Sequence, residues 1–131
     1  MVEGMPEEKF IRVYRKSEVI FEENSTANTM YIVCSGRVKL YTQQGAGRKT
    51  VLAVLGPGEH FGEMALIDSS PRSATAVADQ DDTQLVVLDK ANFLYLVSQQ
   101  PEFAFAIMET LSQRVREANL QLAQVKAHRQ A

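Results

Sequence analysis

Residues 61–78 (FGEMALIDSSPRSATAVA) contain the charged side chains whose types and spacing best suit the binding of a small ligand. Arg72 presents a planar fork that can bind two phosphate oxygens, and its charge cannot be titrated away. Ser73 adds a hydroxyl donor, while Glu63 is a pure acceptor that suits a sugar hydroxyl. Together these side chains predict a ligand with one phosphate charge and one free sugar hydroxyl.

The backbone of the same segment can contribute to such a site. Gly62 permits close approach of the main chain, and residues 63–67 can form a short helical turn. The first amides of a helical turn lack intrahelical partners and favour anions. The alternative is that Glu63 and Arg72 simply pair with each other on a surface turn, and the individual residues leave both interpretations open.

Metal binding and catalysis find no support in the residue inventory. The two histidines, His60 and His128, lie far apart, without an acidic or cysteine partner at the spacing of metal ligands. The chain has no Gly-x-Ser-x-Gly motif and no Cys/His pairing. We therefore expect no metal, no cofactor and no enzymatic activity.

The length and composition indicate one globular domain, residues 1–131. With Lys+Arg 14 and Asp+Glu 16, the chain lacks the positive excess typical of nucleic-acid-binding domains. No apolar run approaches the roughly 18 residues that a membrane span needs, and the first residues do not resemble a signal peptide. Cys34 is the single cysteine and is expected to be buried and inert. These features predict a cytoplasmic protein that binds neither nucleic acid nor membrane.

Short β-type runs separated by turn residues position the charged segment. They predict an antiparallel sandwich or barrel over about residues 10–89, followed by a helix over 90–98 with Asp89 as its N-cap. The predicted strands are residues 11–14, 19–22, 30–34, 38–42, 50–55, 74–78 and 85–88.

A longer helix is predicted over about residues 101–127, with Pro101 in its first turn. Its apolar residues alternate at spacings of four and three, which is the seam of a coiled coil. The seam consists of Ala104, Met108, Leu111, Val115, Ala118, Leu122 and Val125. We expect a homodimer through this seam; the alternative is a helix that packs only on its own β-domain.

The string Gly-Glu-Met-Ala-Leu at 62–66, followed by Pro-Arg-Ser-Ala-Thr at 71–75, resembles the phosphate-binding cassette of the cyclic nucleotide-binding domain family. Residues 19–23, 30–38 and 55–59 follow the order of that family's strands and turns, so the resemblance covers roughly residues 13–122. It implies a mainly β fold, an antiparallel double-stranded β-helix or jelly roll, with short flanking helices. The long C-terminal helix would serve as lid and dimer interface.

The resemblance also implies roles for individual residues. Glu63 would accept the ribose 2′-hydroxyl, with Gly62 forming part of the backbone wall. The cyclic phosphate would contact Arg72, Ser73, Ala74, Met64 and Ala65.

The nucleobase would be met by the C-terminal helix. Asn119 stands where the family's bacterial regulators place a small polar residue, and an amide can both donate to and accept from an adenine edge. Arg114 and Arg116 are candidates for stacking on the base instead. The alternative for all three is a solvated helix face.

The function implied is a non-enzymatic receptor for a cyclic nucleotide, signalling by movement of the cassette and the C-terminal helix. Ser73 leaves the nucleotide open, with cAMP favoured and cGMP the other candidate. One alternative is the sensor half of a catabolite activator/FNR-type transcription regulator whose DNA-binding domain is absent from this chain. Another is a dimerising scaffold that has lost nucleotide binding.

Overall fold

The computed structural model describes residues 10–43 and 45–130. Its strands are β1 Ile11–Tyr14, β2 Val19–Phe21, β3 Met30–Ser35, β4 Val38–Gln43, β5 Lys49–Leu55, β6 His60–Phe61, β7 Thr75–Ala78 and β8 Thr83–Leu88. The helices are α1 Glu63–Asp68, α2 Lys90–Gln99 and α3 Pro101–Gln130. Among the described residues, no helix is long and apolar enough to cross a membrane.

The strands form two antiparallel sheets, in the orders β1-β8-β3-β6 and β2-β7-β4-β5. Strand β1 pairs with β8, β2 with β7, β3 with β6 and β4 with β5. This nesting is that of one long hairpin wound into two sheets, with the β4–β5 hairpin at its tip. The predicted mainly β fold, a jelly roll with flanking helices and a long C-terminal helix, is therefore confirmed.

The hydrophobic core lies between the two sheets. Inward-facing residues alternate along the strands, as a half-buried sheet requires. The core consists of Tyr14, Tyr31, Val33, Val38, Leu55, Phe61, Ala76, Ala78 and Leu85. At one end, the rings of Phe21, Tyr31 and Phe61 form an aromatic cluster with centroid separations of 5.1–5.8 Å. This cluster forms part of the surroundings of the candidate site described below.

Two expectations from the sequence need correction. Strand β6 was not predicted, because a strand of only two residues, His60 and Phe61, is too short to show a periodicity. Cys34 is partly exposed rather than buried, since it stands near the end of β3, one residue before the turn at Gly36 begins. Neither difference changes the sheet order.

The chain divides into two compact units, one ending at Tyr95 and one beginning at Leu96. The first unit contains both sheets and α1. In the second unit, the seam residues Met108, Val115, Leu122 and Val125 of α3 are 49–59% exposed. An apolar stripe of this kind is available for contact with another surface. The assignment of residues 1–131 to a single domain stays a prediction.

Candidate functional site

The candidate site is built around the cassette, which we define as residues 62–74, from the N-cap of α1 to the residue before β7. Helix α1 ends at Asp68, and the left-handed φ of 60° at its C-cap, Ser69, turns the chain back. The Asp68 carboxylate accepts hydrogen bonds from the backbone N–H and hydroxyl of Ser70, and these bonds lower the pKa of Asp68. The turn thereby returns the chain toward β7 and places Arg72 ahead of it.

The backbone of Arg72 is fixed by the turn after β2. Its N–H donates to the carbonyl of Ser25 at 2.9 Å, and its carbonyl accepts from the N–H of Asn24 at 2.8 Å. Asn24 adopts a left-handed φ of 69°, a conformation that asparagine tolerates better than most residues. The turn after β2, almost fifty residues earlier in the sequence, therefore fixes the position of the Arg72 backbone.

The guanidinium of Arg72 is buried, with the residue 3% exposed. Its Nη1 donates to the carbonyls of Thr29 at 2.7 Å and Gly62 at 3.0 Å, and its Nη2 donates to the Thr29 hydroxyl at 3.0 Å. The Cζ atom lies 4.1 Å from the ring centroid of Phe21, in cation–π geometry. The buried Nε has no hydrogen-bond partner within the described part of the chain.

All of these partners of Arg72 are electrically neutral. Within residues 10–43 and 45–130, no carboxylate forms an ion pair with this arginine. Burial lowers the pKa of Arg72, while the nearby Tyr31 acts in the opposite direction, and an arginine remains charged in a protein. A buried cation without a counter-charge is expensive, so the site is electrostatically prepared for an anion.

Gly62 permits the approach of this guanidinium to the backbone. Its φ is +80°, and a Cβ atom built on it would lie 2.8 Å from Nη1 of Arg72 and 3.5 Å from the carbonyl oxygen of Thr29. A side chain would thus be strained by conformation and would collide with the arginine. The sequence-based expectation of a close backbone approach at Gly62 identifies the contact correctly, and its partner is Arg72.

Glu63 lies beside a histidine rather than in an ion pair with Arg72. Its Oε1 is 3.6 Å from Nδ1 of His60, and Glu63 is 1% exposed. The alternative in which Glu63 and Arg72 pair on a surface turn is therefore wrong. His60 and Glu63 meet because α1 starts so soon after β6, and their pairwise contact does not make a metal site.

The remaining cassette residues divide by exposure. Ala65 and Ala74 are buried, and their small side chains leave room for Arg72 and α1. Met64 and Ser73 are exposed. The fold brings Gly62 against Arg72, with Glu63 next to Gly62 and Ser73 next to Arg72 along the chain. The contacts predicted for these residues with a phosphate or a ribose stay predictions.

The three candidates for base recognition lie on α3. Arg114, Arg116 and Asn119 are all exposed. Exposure fits both the base-binding interpretation and the solvated helix face, so their role stays a prediction.

Sequence reasoning missed Phe21, Thr29 and His60. Phe21 and Thr29 precede Arg72 by more than forty residues and reach it only through the sheet pairing. His60 was considered only as a metal ligand, although its spacing of three residues from Glu63 was a usable signal. Among the described residues, no group of three or more His, Cys, Asp or Glu side chains could hold a metal ion.

The part of the chain that forms the two sheets and the cassette matches a known protein family. Residues 11–100 match the family model described as "Cyclic nucleotide-binding domain". The chain belongs to the cyclic nucleotide-binding domain family.

Individual proteins with names or solved structures are also similar to this chain. The cyclic AMP receptor protein of Thermus thermophilus is 40% identical over 111 residues, which are 85% of this chain and 51% of that protein. The crystal structure of the Thermus thermophilus catabolite activator protein has a TM-score of 0.81 at 36% identity, over 95% of this chain and 62% of that one. An EAL enzyme solved in its cAMP-bound form has a TM-score of 0.62 at 35% identity, over 92% of this chain and 31% of that one. The chain spans about half the length of the curated relatives it matches.

Proposed function

We propose that this chain is a cytoplasmic, non-enzymatic receptor module for a cyclic nucleotide, with cAMP as its ligand. The observation that carries the proposal is the buried guanidinium of Arg72, which has neutral partners and an unpartnered Nε within the described residues. A cyclic phosphate supplies the single negative charge that this cation lacks. The name of the cyclic AMP receptor protein of Thermus thermophilus supports the choice of nucleotide.

The ligand would enter by exchange of hydrogen bonds at Arg72. In the structure, the fork is occupied by the carbonyls of Thr29 and Gly62 and by the Thr29 hydroxyl. A phosphate that binds Nε and Nη2 would replace the contact of Nη2 with the Thr29 hydroxyl. Movement of the guanidinium would then pull on Gly62, the N-cap of α1, because the Gly62 carbonyl accepts from Nη1. Binding would thus favour a different position of the cassette, which is the signal that the receptor passes on.

We further propose that two copies associate through the apolar seam of α3. The support is the heptad spacing together with the exposure of Met108, Val115, Leu122 and Val125 in a single chain. Burial of such a stripe against a second helix would remove apolar surface from water.

A second candidate is the sensor half of a transcription regulator, in which cAMP binding would control a DNA-binding domain. The similarity to the cyclic AMP receptor protein and the catabolite activator protein favours it over the scaffold interpretation. Sequencing the reading frame past Ala131 tests it: a following helix-turn-helix would support this function, and a stop codon would contradict it for this protein.

The proposed function is tested by calorimetric titration of the chain with cAMP and cGMP side by side. We expect saturable one-to-one binding of cAMP, with cGMP bound more weakly. Thermal unfolding at saturating cAMP should shift upward, since a ligand that binds only the native state stabilises it by about 2.7 kcal/mol at a hundredfold excess over Kd. No heat and no thermal shift with either nucleotide would leave only the scaffold interpretation.

A further inference from the structure

A buried histidine lies beside the carboxylate to which we assign the ribose contact. The Nδ1 atom of His60 is 3.6 Å from Oε1 of Glu63, and the two side chains are 10% and 2% exposed. His60 is held in β6 by pairing with Ile32 of β3, and α1 begins with Glu63 two residues after β6 ends. The two side chains therefore meet inside the first compact unit, at a position that solvent hardly reaches.

We propose that His60 is a positioning residue that sets the preference of this site for ribose over 2′-deoxyribose. The inference rests on the proposed function, because it concerns how strongly Glu63 accepts the ribose 2′-hydroxyl. Positive charge on His60 offsets part of the negative charge of Glu63, and a hydroxyl then gains less by donating to it. When His60 is neutral, this offset is absent and the bond from the hydroxyl to Glu63 is stronger.

The direction of the effect follows from this competition for one carboxylate. Histidine is the side chain that ordinarily changes charge between about pH 5 and 8, and acidification favours its charged form. The contribution of the 2′-hydroxyl to binding should accordingly be largest in mildly alkaline solution and fall on acidification. The charge on the phosphate is the same with and without the 2′-hydroxyl, so its effect on His60 cancels when the two ligands are compared.

Other groups near His60 do not account for such a change. Besides Glu63, which is also present in a variant lacking His60, the titratable or charged residues on β3, on α1 and adjoining them are Tyr31, Cys34, Glu59, Asp68 and Arg72. The pKa of Asp68 is lowered by Ser70, so it remains a carboxylate throughout the range in which a histidine titrates. The other side-chain types also do not ordinarily titrate near pH ~6.5.

The experiment measures Kd for cAMP and for 2′-deoxy-cAMP by calorimetry on the full chain, between about pH 5.5 and about pH 8, across the ordinary titration range of histidine. The quantity followed is the ratio of the 2′-deoxy-cAMP Kd to the cAMP Kd. We expect this ratio to rise about threefold to tenfold from the acidic to the alkaline end. A hydrogen bond to a charged group is roughly twice as strong as one to a neutral group, which supports a change of about this size.

Two variants separate His60 from the rest of the chain. His60→Asn keeps a polar side chain near Glu63 but cannot titrate, so its ratio should be independent of pH. His128→Gln removes the other histidine of the chain, which is exposed on α3, and should retain the full pH dependence. If His60→Asn does not fold, His60→Gln, which also cannot titrate, takes its place with the same expected result.

The failure of this inference differs from the failure of the proposed function. A wild-type ratio that does not change with pH, or a rise that persists in His60→Asn, would overturn the role of His60 while cAMP binding stands. Equal affinity for both ligands at every pH would remove the ribose contact of Glu63 itself. A wild-type chain that binds neither ligand at any pH would instead overturn the proposed function.

Discussion

The cassette and helix α3 present their candidate residues in opposite physical settings. In the cassette, Glu63 and Arg72 are buried, and Arg72 is fixed by groups from distant parts of the chain. On α3, Arg114, Arg116 and Asn119 are exposed side chains of a single helix. A buried charge must be matched by its surroundings, whereas an exposed charge is solvated wherever it stands.

The difference shows which residues carry evidence for function. Arg72 has a burial cost that its neutral partners only partly offset, so its presence is best explained by a ligand that brings the missing charge. Arg114 and Arg116 are exposed on α3 and carry no such burial cost. Substitutions in the cassette should therefore change both stability and affinity, while substitutions on α3 should change association or affinity without unfolding the chain.

The largest effect is expected from substitutions in the seam of α3, where many apolar residues would contact the partner helix together. Leu111→Glu combined with Leu122→Glu should abolish the proposed dimer, because full burial of an exposed leucine such as Leu122 contributes about 1.5–3 kcal/mol, and the half-buried Leu111 adds a smaller amount. Sedimentation should then give the 14.6 kDa mass of one chain instead of twice that value. Leu120→Glu with Ala127→Glu introduces the same charges away from the seam and should leave the mass unchanged. An unaltered mass in the seam variant would contradict the dimer.

The next effect is expected at the centre of the cassette. Arg72→Ala should weaken cAMP binding by about a hundredfold or more, by analogy with the ~3–5 kcal/mol lost when one partner of a buried ion pair is removed. Arg72→Lys keeps the charge but loses the fork, so it should also bind poorly.

The matched control for this substitution is Arg48→Ala, in the exposed turn between β4 and β5, which should bind as the wild type does. Calorimetry gives the affinities, and circular dichroism shows whether each variant is folded. A folded Arg72→Ala protein with wild-type affinity would mean that the phosphate binds elsewhere.

A smaller effect is expected from the close approach at Gly62. Gly62→Ala places a Cβ atom 2.8 Å from Nη1 of Arg72 at a φ of +80°, and should destabilise the ligand-free chain by about 1–2 kcal/mol. Gly56→Ala is the matched control, since nothing lies within 4 Å of the position that its Cβ would take and its φ is not left-handed. Urea unfolding of both variants measures the difference. Equal midpoints would show that Arg72 is not held against this backbone in solution.

The smallest effect is expected on the exposed helix face. Asn119→Ala should weaken cAMP binding by roughly threefold to tenfold, the value of one hydrogen bond at about 0.5–1.5 kcal/mol. Its unfolding midpoint should not change, because the side chain is exposed. Calorimetry together with thermal unfolding checks both statements. Unchanged affinity would assign Asn119 to a solvated helix face.

The sequence predicted those parts of the molecule in which the information is local. Alternating apolar residues and turn residues located the strands, and the apolar spacing after Pro101 located helix α3. The cassette was identifiable because Gly62, Glu63 and Arg72 stand within eleven residues of one another.

The groups that hold Arg72 were not predictable in the same way. Thr29 contacts its guanidinium across 43 residues of sequence, through a backbone carbonyl that any residue would possess. Phe21 lies under the guanidinium because β2 pairs with β7, a partnership that no local pattern encodes. The two-residue strand β6, and with it the contact of His60 with Glu63, likewise becomes visible only once the sheets are assembled.

The central claim is that Arg72 and Glu63 bind a cyclic nucleotide, and the most direct measurement is a crystal structure of this chain grown with saturating cAMP. We predict that the cyclic phosphate contacts the Nε and Nη2 atoms of Arg72, where the structure has an unpartnered donor and the Thr29 hydroxyl. The ribose 2′-hydroxyl should donate to Glu63. A nucleotide bound elsewhere, or a cassette in which Arg72 keeps all its contacts with Thr29 and Gly62 and binds nothing, would contradict the account.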